Sequence, residues 1–106
     1  MPTWTVALKE SVVDDLRAFG KHGRVLLRTA AARLAENPLA DTRQLKTLRP
    51  NPVAQRELRL LGRYRVLFTV GEAEAVVTIV LFGEKRGNSL YVQGKRFTAH
   101  ESRSIE

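Results

Sequence analysis

Cysteine is absent from the 106-residue chain, which removes disulfide staples, cysteine zinc sites, thiol nucleophiles and iron–sulfur ligation together. Long apolar runs are missing as well. The longest, residues 75–81, is interrupted by Thr78 and falls far short of the ~18 residues that a membrane span needs. The start, Met1-Pro2-Thr3-Trp4, has neither a basic nor an apolar stretch, so no secretory signal is expected and a cytoplasmic location is the simplest reading. Ser–His–Asp, HExxH, P-loop and GxGxxG patterns do not occur, so no motif points to a metal or a cofactor. Acidic residues are the minority, 11 against 18 Lys plus Arg, for a net charge of +7 and a pI near 10.6. That excess points to a polyanion or an acidic partner. The remaining composition, 43% apolar and 27% charged, is that of a single globular domain over residues 1–106, with a compact core at 2–98 and a polar tail at 99–106.

The order of patterns predicts an α+β fold. Residues 4–8 alternate and carry Trp4, Thr5 and Val6, which reads as a strand. Val12, Val13, Leu16 and Phe19 then recur at helical spacing, with Asp14 and Asp15 in the first turn and Gly20 as the stop. After the link Lys21-His22-Gly23, a second helix is expected over residues 24–36, ended by Asn37-Pro38. Residues 41–52, with Pro50 and Pro52, read as a loop. Strands are expected at 55–60, 64–70, 75–83 and 89–93, with a short closing strand at 96–98. The result is an N-terminal strand, an α-helical hairpin and an antiparallel β-sheet meander with the helices packed on one face. His22 falls in the helix link, and His100 follows the last sheet residues.

The segment 56–68 carries the most information. For Leu58 and Leu60 to face the same core as Tyr64, Val66 and Phe68, the connecting loop must hold an odd number of residues, and Leu61-Gly62-Arg63 supplies three. Leu60 then lies opposite Tyr64, Leu58 opposite Val66, and Arg59 opposite Arg65. Like charges directly across a strand pair are destabilising, so this placement needs a reason beyond stability; Glu57 on the same face offsets part of the repulsion. The strand 75–82 is apolar on both faces, so it should be central and covered on both sides. Its far end brings Lys85 and Arg86 to the edge that carries Arg63 and Arg65. The preceding loop adds Arg43, Lys46 and Arg49, with Arg56 at its border. Guanidinium groups at this density suit phosphate oxygens, and Tyr91 is placed to add an aromatic ring that stacks on a base or bonds near a phosphate.

The helical hairpin, Leu48-Arg49 before Arg56-Glu57-Leu58-Arg59, the Gly62-Arg63-Tyr64-Arg65-Val66 strand and the Phe82-Gly83-Glu84-Lys85-Arg86 ending resemble the RelE/ParE superfamily of toxin–antitoxin toxins over residues 4–92. The resemblance implies a metal-independent mRNA interferase acting on mRNA in the ribosome, with no cofactor and a cognate antitoxin as partner. The ParE-like alternative is a DNA gyrase inhibitor, and a third reading is a non-catalytic RNA-binding module derived from a toxin. Carried over by position, the resemblance implies catalytic roles for Arg59, Arg65, Lys85 and Tyr91, and RNA binding by Arg43, Lys46, Arg49, Arg56, Arg63 and Arg86. Tyr91 stands at the catalytic tyrosine's spacing from Gly83. Three departures stand out: Leu58 where close members carry a basic residue, Glu84 as an acid beside the phosphate site, and residues 91–97, which look more like a phage-type branch.

Overall fold

The computed structural model describes residues 4–97. Nine elements follow in order: β1 (Thr5–Leu8), α1 (Val12–Arg17), α2 (His22–Glu36), β2 (Leu45–Thr47), β3 (Arg56–Leu60), β4 (Tyr64–Gly71), β5 (Val76–Arg86), β6 (Ser89–Val92) and β7 (Lys95–Phe97). The strands form one sheet in the order β2-β3-β4-β5-β6-β7, and β1 pairs in parallel with the first part of β5. Every other pairing is antiparallel. The expected α+β architecture is therefore the one observed.

Helix α2 buries Gly23, Leu26, Ala30 and Leu34, a stripe of three- and four-residue spacings that places one helical face against the sheet. Gly23 is required there, because a Cβ would run into the Leu16 carbonyl and force α1 and α2 apart. Beneath the helices lie Leu58, Leu60, Val66, Phe68, Val77, Ile79 and Phe82, in one cluster with the α2 stripe. The opposite face is covered too: Leu67 and Leu81 pack with Ala54, flanked by Leu48, Val53 and Leu90. The segment between β2 and β3 makes this cover. Asn51 holds its turn, accepting from the Val53 and Ala54 N–H groups at 2.8 and 3.1 Å. The two-sided apolar strand is thus central and covered on both sides, as its composition predicts.

The register of the β3–β4 hairpin is the expected one, with Leu60 against Tyr64, Leu58 against Val66 and Arg59 against Arg65. Leu61 and Gly62 turn the chain at positive φ, 51° and 77°. Several boundaries differ. The loop expected at 41–52 contains β2, whose ladder comes from β3 rather than from any pattern of its own. Helix α2 begins at His22 because Gly20, at φ 61°, completes the reversal within fewer residues. Strand β5 extends to Arg86 because β6 pairs with its charged end. The closing strand is Lys95–Phe97; Thr98, His100 and the tail expected at 99–106 lie outside the described residues.

Two irregularities in β5 position the site. Leu67 pairs with Leu81 but Phe68 with Ile79, so Val80 is an extra residue, a bulge that reverses the side-chain alternation beyond it. Before the bulge Val77 and Ile79 face the helices; after it Phe82 does, while Leu81 faces the other way. Farther along, β1 leaves β5 at Ile79 and β6 joins it only at Glu84. The Phe82 N–H in this gap donates to Asp15 Oδ2 at 3.0 Å, and Gln93 Nε2 donates to Asp15 Oδ1 at 2.6 Å. Asp15, 4% exposed, thereby stands in for the missing strand and ties α1 to the β6–β7 turn.

Candidate functional site

Strand alternation places Glu57 and Arg59 of β3 and Arg65 of β4 on the sheet face away from the helices. Arg65 is nearly enclosed, its side chain 8% exposed, and its Nη1 donates to the Gly62 and Tyr64 carbonyls at 3.0 and 3.1 Å. These backbone contacts fix the guanidinium independently of any ligand. Arg59 is 37% exposed. Glu57 lies between the two, with one oxygen 3.6 Å from Arg59 Nε and the other 3.7 Å from Arg65 Nε. Both separations are too long for hydrogen bonds, and both Nε atoms are buried without a hydrogen-bond partner. Burial lowers the proton affinity of Arg65, Glu57 opposes this and Arg59 adds to it; a guanidinium nevertheless stays charged. Above the pair opens a concavity of about 350 Å³ lined by Arg43, Gln44, Arg59, Leu61, Gly62 and Arg65.

Other residues expected in the site divide by face. Lys46 pairs with Glu57 on β2 and is exposed on the arginine face. Lys85 pairs with Leu90, whose side chain belongs to the outer apolar cluster, so Lys85 also takes the arginine face. The Val80 bulge puts it there. Arg49 is exposed beside β2. Arg56 does not join them: it pairs with Phe68 on the helix side, 8% exposed, where its Nη2 donates to the Ala40 carbonyl and lies 3.6 Å from Asp41. Its position two residues from Leu58 on the core face compels this.

Tyr91 pairs with Glu84, which pairs with Tyr64, so the three share the helix-side face and Tyr91 stands across the sheet from Arg59 and Arg65. There Arg63 bonds Glu84 at 2.6 Å, Arg86 lies 3.3 Å from the same carboxyl, and the Arg86 guanidinium sits 4.5 Å from the Tyr91 ring centre. The Arg63 hydrogen bond holds the Glu84 carboxyl below the usual range, against burial and with help from Arg86. Glu84 is therefore not the acid beside the arginines, and Leu58, fully buried, is not a vacancy in the basic cluster. Glu57 is the acid there. Its parity with Arg59 is visible in the sequence; its position between two arginines needs the β3–β4 pairing.

A second hollow, about 370 Å³, adjoins the first through Gln44, Arg59 and Leu61 and runs along α2 past Val25, Leu26 and Arg33. It is mostly apolar at its floor, and its rim carries Leu61 and Val25, 79% and 56% exposed. Among the described residues, no group of three or more His, Cys, Asp or Glu is placed to hold a metal ion, and no helix is long and apolar enough to cross a membrane.

No protein-family model matches the sequence, and no curated protein does. Solved structures share its architecture. A chain of the RelBE2 toxin–antitoxin complex from Mycobacterium tuberculosis superimposes with a TM-score of 0.68 at 23% identity, over 80% of this chain and 94% of that one. The isolated E. coli RelE toxin gives a TM-score of 0.61 at 20% identity, over 78% and 85%. The strand, helical hairpin and sheet of this chain therefore share the architecture of these RelE-like structures.

Proposed function

We propose that the protein is the toxin of a toxin–antitoxin pair, and that it acts as a ribosome-dependent endoribonuclease on mRNA in the cytoplasm. The observation that carries this reading is the arginine concavity: Arg43, Arg59 and Arg65 surround one opening on the face of a RelE-type sheet away from the helices. A phosphate seated there meets guanidinium groups, one of which is already fixed by backbone carbonyls. Preorganised cations of this kind stabilise the charge that develops on phosphorus as the adjacent 2′-hydroxyl attacks. Lys46, Arg49 and Lys85 extend the positive surface along the RNA backbone. Tyr91, Arg63 and Arg86, on the other face, take no part in this opening.

The partner expected is an antitoxin with an amphipathic, acidic segment. The apolar hollow beside α2 suits the apolar side of such a segment, and Arg33 and Arg59 on its border suit the acidic side. Because this hollow shares Arg59 and Leu61 with the arginine concavity, one bound segment covers both.

Primer extension on a reporter mRNA in a cell-free translation system tests the reading, with and without ribosomes, using wild type, Arg59→Ala and Arg65→Ala. Ribosome-dependent cuts within the reading frame that disappear in both folded variants are the expected result. Intact message with undiminished translation overturns it.

A further inference from the structure

We propose that Glu57 is the proton acceptor of the arginine site, the group that takes the 2′-hydroxyl proton during RNA cleavage; this rests on the interferase reading above. The chemistry needs such a group. In-line attack forms the O2′–P bond and breaks the P–O5′ bond, so one proton must leave the 2′-hydroxyl and one must reach the 5′ oxygen. Tyr91, the residue that the sequence suggests for proton transfer, is on the opposite face. The arginines do not give up protons at physiological pH. Among the described residues, Glu57 is the only carboxyl within 4 Å of Arg59 or Arg65, and it is within 4 Å of both.

Its surroundings fit an acceptor better than a plain structural ion pair. A structural carboxyl between two guanidiniums ordinarily takes short, paired hydrogen bonds. Here neither Nε contact is that close, and both Nε atoms are left without partners. Both oxygens are turned toward the two arginines that line the concavity, with the side chain 15% exposed. A scissile phosphate held by Arg59 and Arg65 brings its neighbouring 2′-hydroxyl to the edge of this carboxyl. Glu57 then accepts the hydroxyl proton, water supplies the proton to the leaving 5′ oxygen, and the products are a 2′,3′-cyclic phosphate and a 5′-hydroxyl end. Atoms and charge balance without an oxidant or a metal.

The test is single-turnover cleavage of mRNA on purified programmed ribosomes at neutral pH, with wild type, Glu57→Gln and Glu57→Asp, alongside ribosome binding and thermal melting for each. The expected result is a loss of roughly a hundredfold or more in rate for Glu57→Gln, with binding and melting temperature retained. Glu57→Asp, which keeps a carboxyl but withdraws it, is expected to be slower than wild type yet clearly faster than Glu57→Gln. If folded Glu57→Gln cleaves within about threefold of wild type, or folded Glu57→Asp is as slow as Glu57→Gln, Glu57 is not the acceptor although the interferase reading stands. A wild type that does not cleave at all removes both. Should Glu57→Gln melt early, Glu57→Asp decides: a folded Glu57→Asp that cleaves at the wild-type rate, or not at all, overturns the assignment.

Discussion

Replacing Asp15 by alanine is expected to destabilise the protein more than any change at the exposed charges, although Asp15 sits on a six-residue helix. The structure gives the magnitude. Asp15→Ala leaves the Phe82 N–H, on a fully buried residue, without an acceptor, since neither β1 nor β6 reaches that point of β5. An orphaned buried donor costs about 1–3 kcal/mol, and the lost Gln93 bond about 0.5–1.5 kcal/mol more. The sum, roughly 1.5–4.5 kcal/mol, is a large part of the ~5–15 kcal/mol that holds such a domain. At about 4–8 °C per kcal/mol for a chain of this size, the melting temperature should fall by roughly 6–36 °C. Asp15→Asn keeps an acceptor for Phe82, and the Gln93 amide can turn to offer its oxygen, so its loss should stay under about 1 kcal/mol. Urea and thermal unfolding of both variants, with Gln93→Ala and the double variant Asp15→Ala/Gln93→Ala closing a thermodynamic cycle, measure each part. An Asp15→Ala variant within about 0.5 kcal/mol of wild type, or an Asp15→Asn variant as unstable as the alanine, would refute the reasoning.

Further outcomes are expected at three positions. Gly83→Ala places a Cβ 2.8 Å from the Tyr91 carbonyl oxygen and 2.9 Å from a Leu90 methyl, so it should loosen β6 from β5; faster amide exchange in residues 89–92 than in β3 is the measurement. Leu61→Asn, at φ 51° and 79% exposed, should leave stability unchanged or raise it, because asparagine tolerates left-handed backbone better than leucine. The same variant should weaken binding of the antitoxin proposed above in a titration, since it removes apolar surface from the rim of the α2 hollow. Glu84 supplies a pH dependence: its carboxyl is held low by Arg63 first, so its contribution is complete above the unfolded carboxyl value of about 4.3 and is lost as pH falls through the lowered folded value. The stability gap between wild type and Glu84→Gln, measured by urea unfolding, should therefore be constant from about pH 5 upward and close in acid; a gap that widens in acid contradicts the assignment. High salt should shrink it, because Arg63 is well exposed.

Residue pattern alone determined the parts of this fold that depend on local spacing. The parity of Leu58, Leu60, Tyr64 and Val66 about a three-residue turn fixes Arg59 against Arg65, because a slip of one residue would turn the whole apolar set to solvent. The two-sided apolarity of residues 76–82 likewise requires a central, covered strand, and the 3.6-residue stripe of α2 requires one buried face. The faces of the candidate site were decided elsewhere. Nothing local marks Val80 as the bulged residue; the pairing of β4 on both sides of it does, and that one extra residue sends Lys85 to the arginine face and Glu84, with its partner Tyr91, to the other. Strand β2 exists only because β3 offers it a ladder, and Asp15 finds its role only where two strands leave a gap along a third. Alternation is a rule within a strand, but the face on which a charged side chain emerges depends on how distant strands register with one another, and that is a property of the packed sheet.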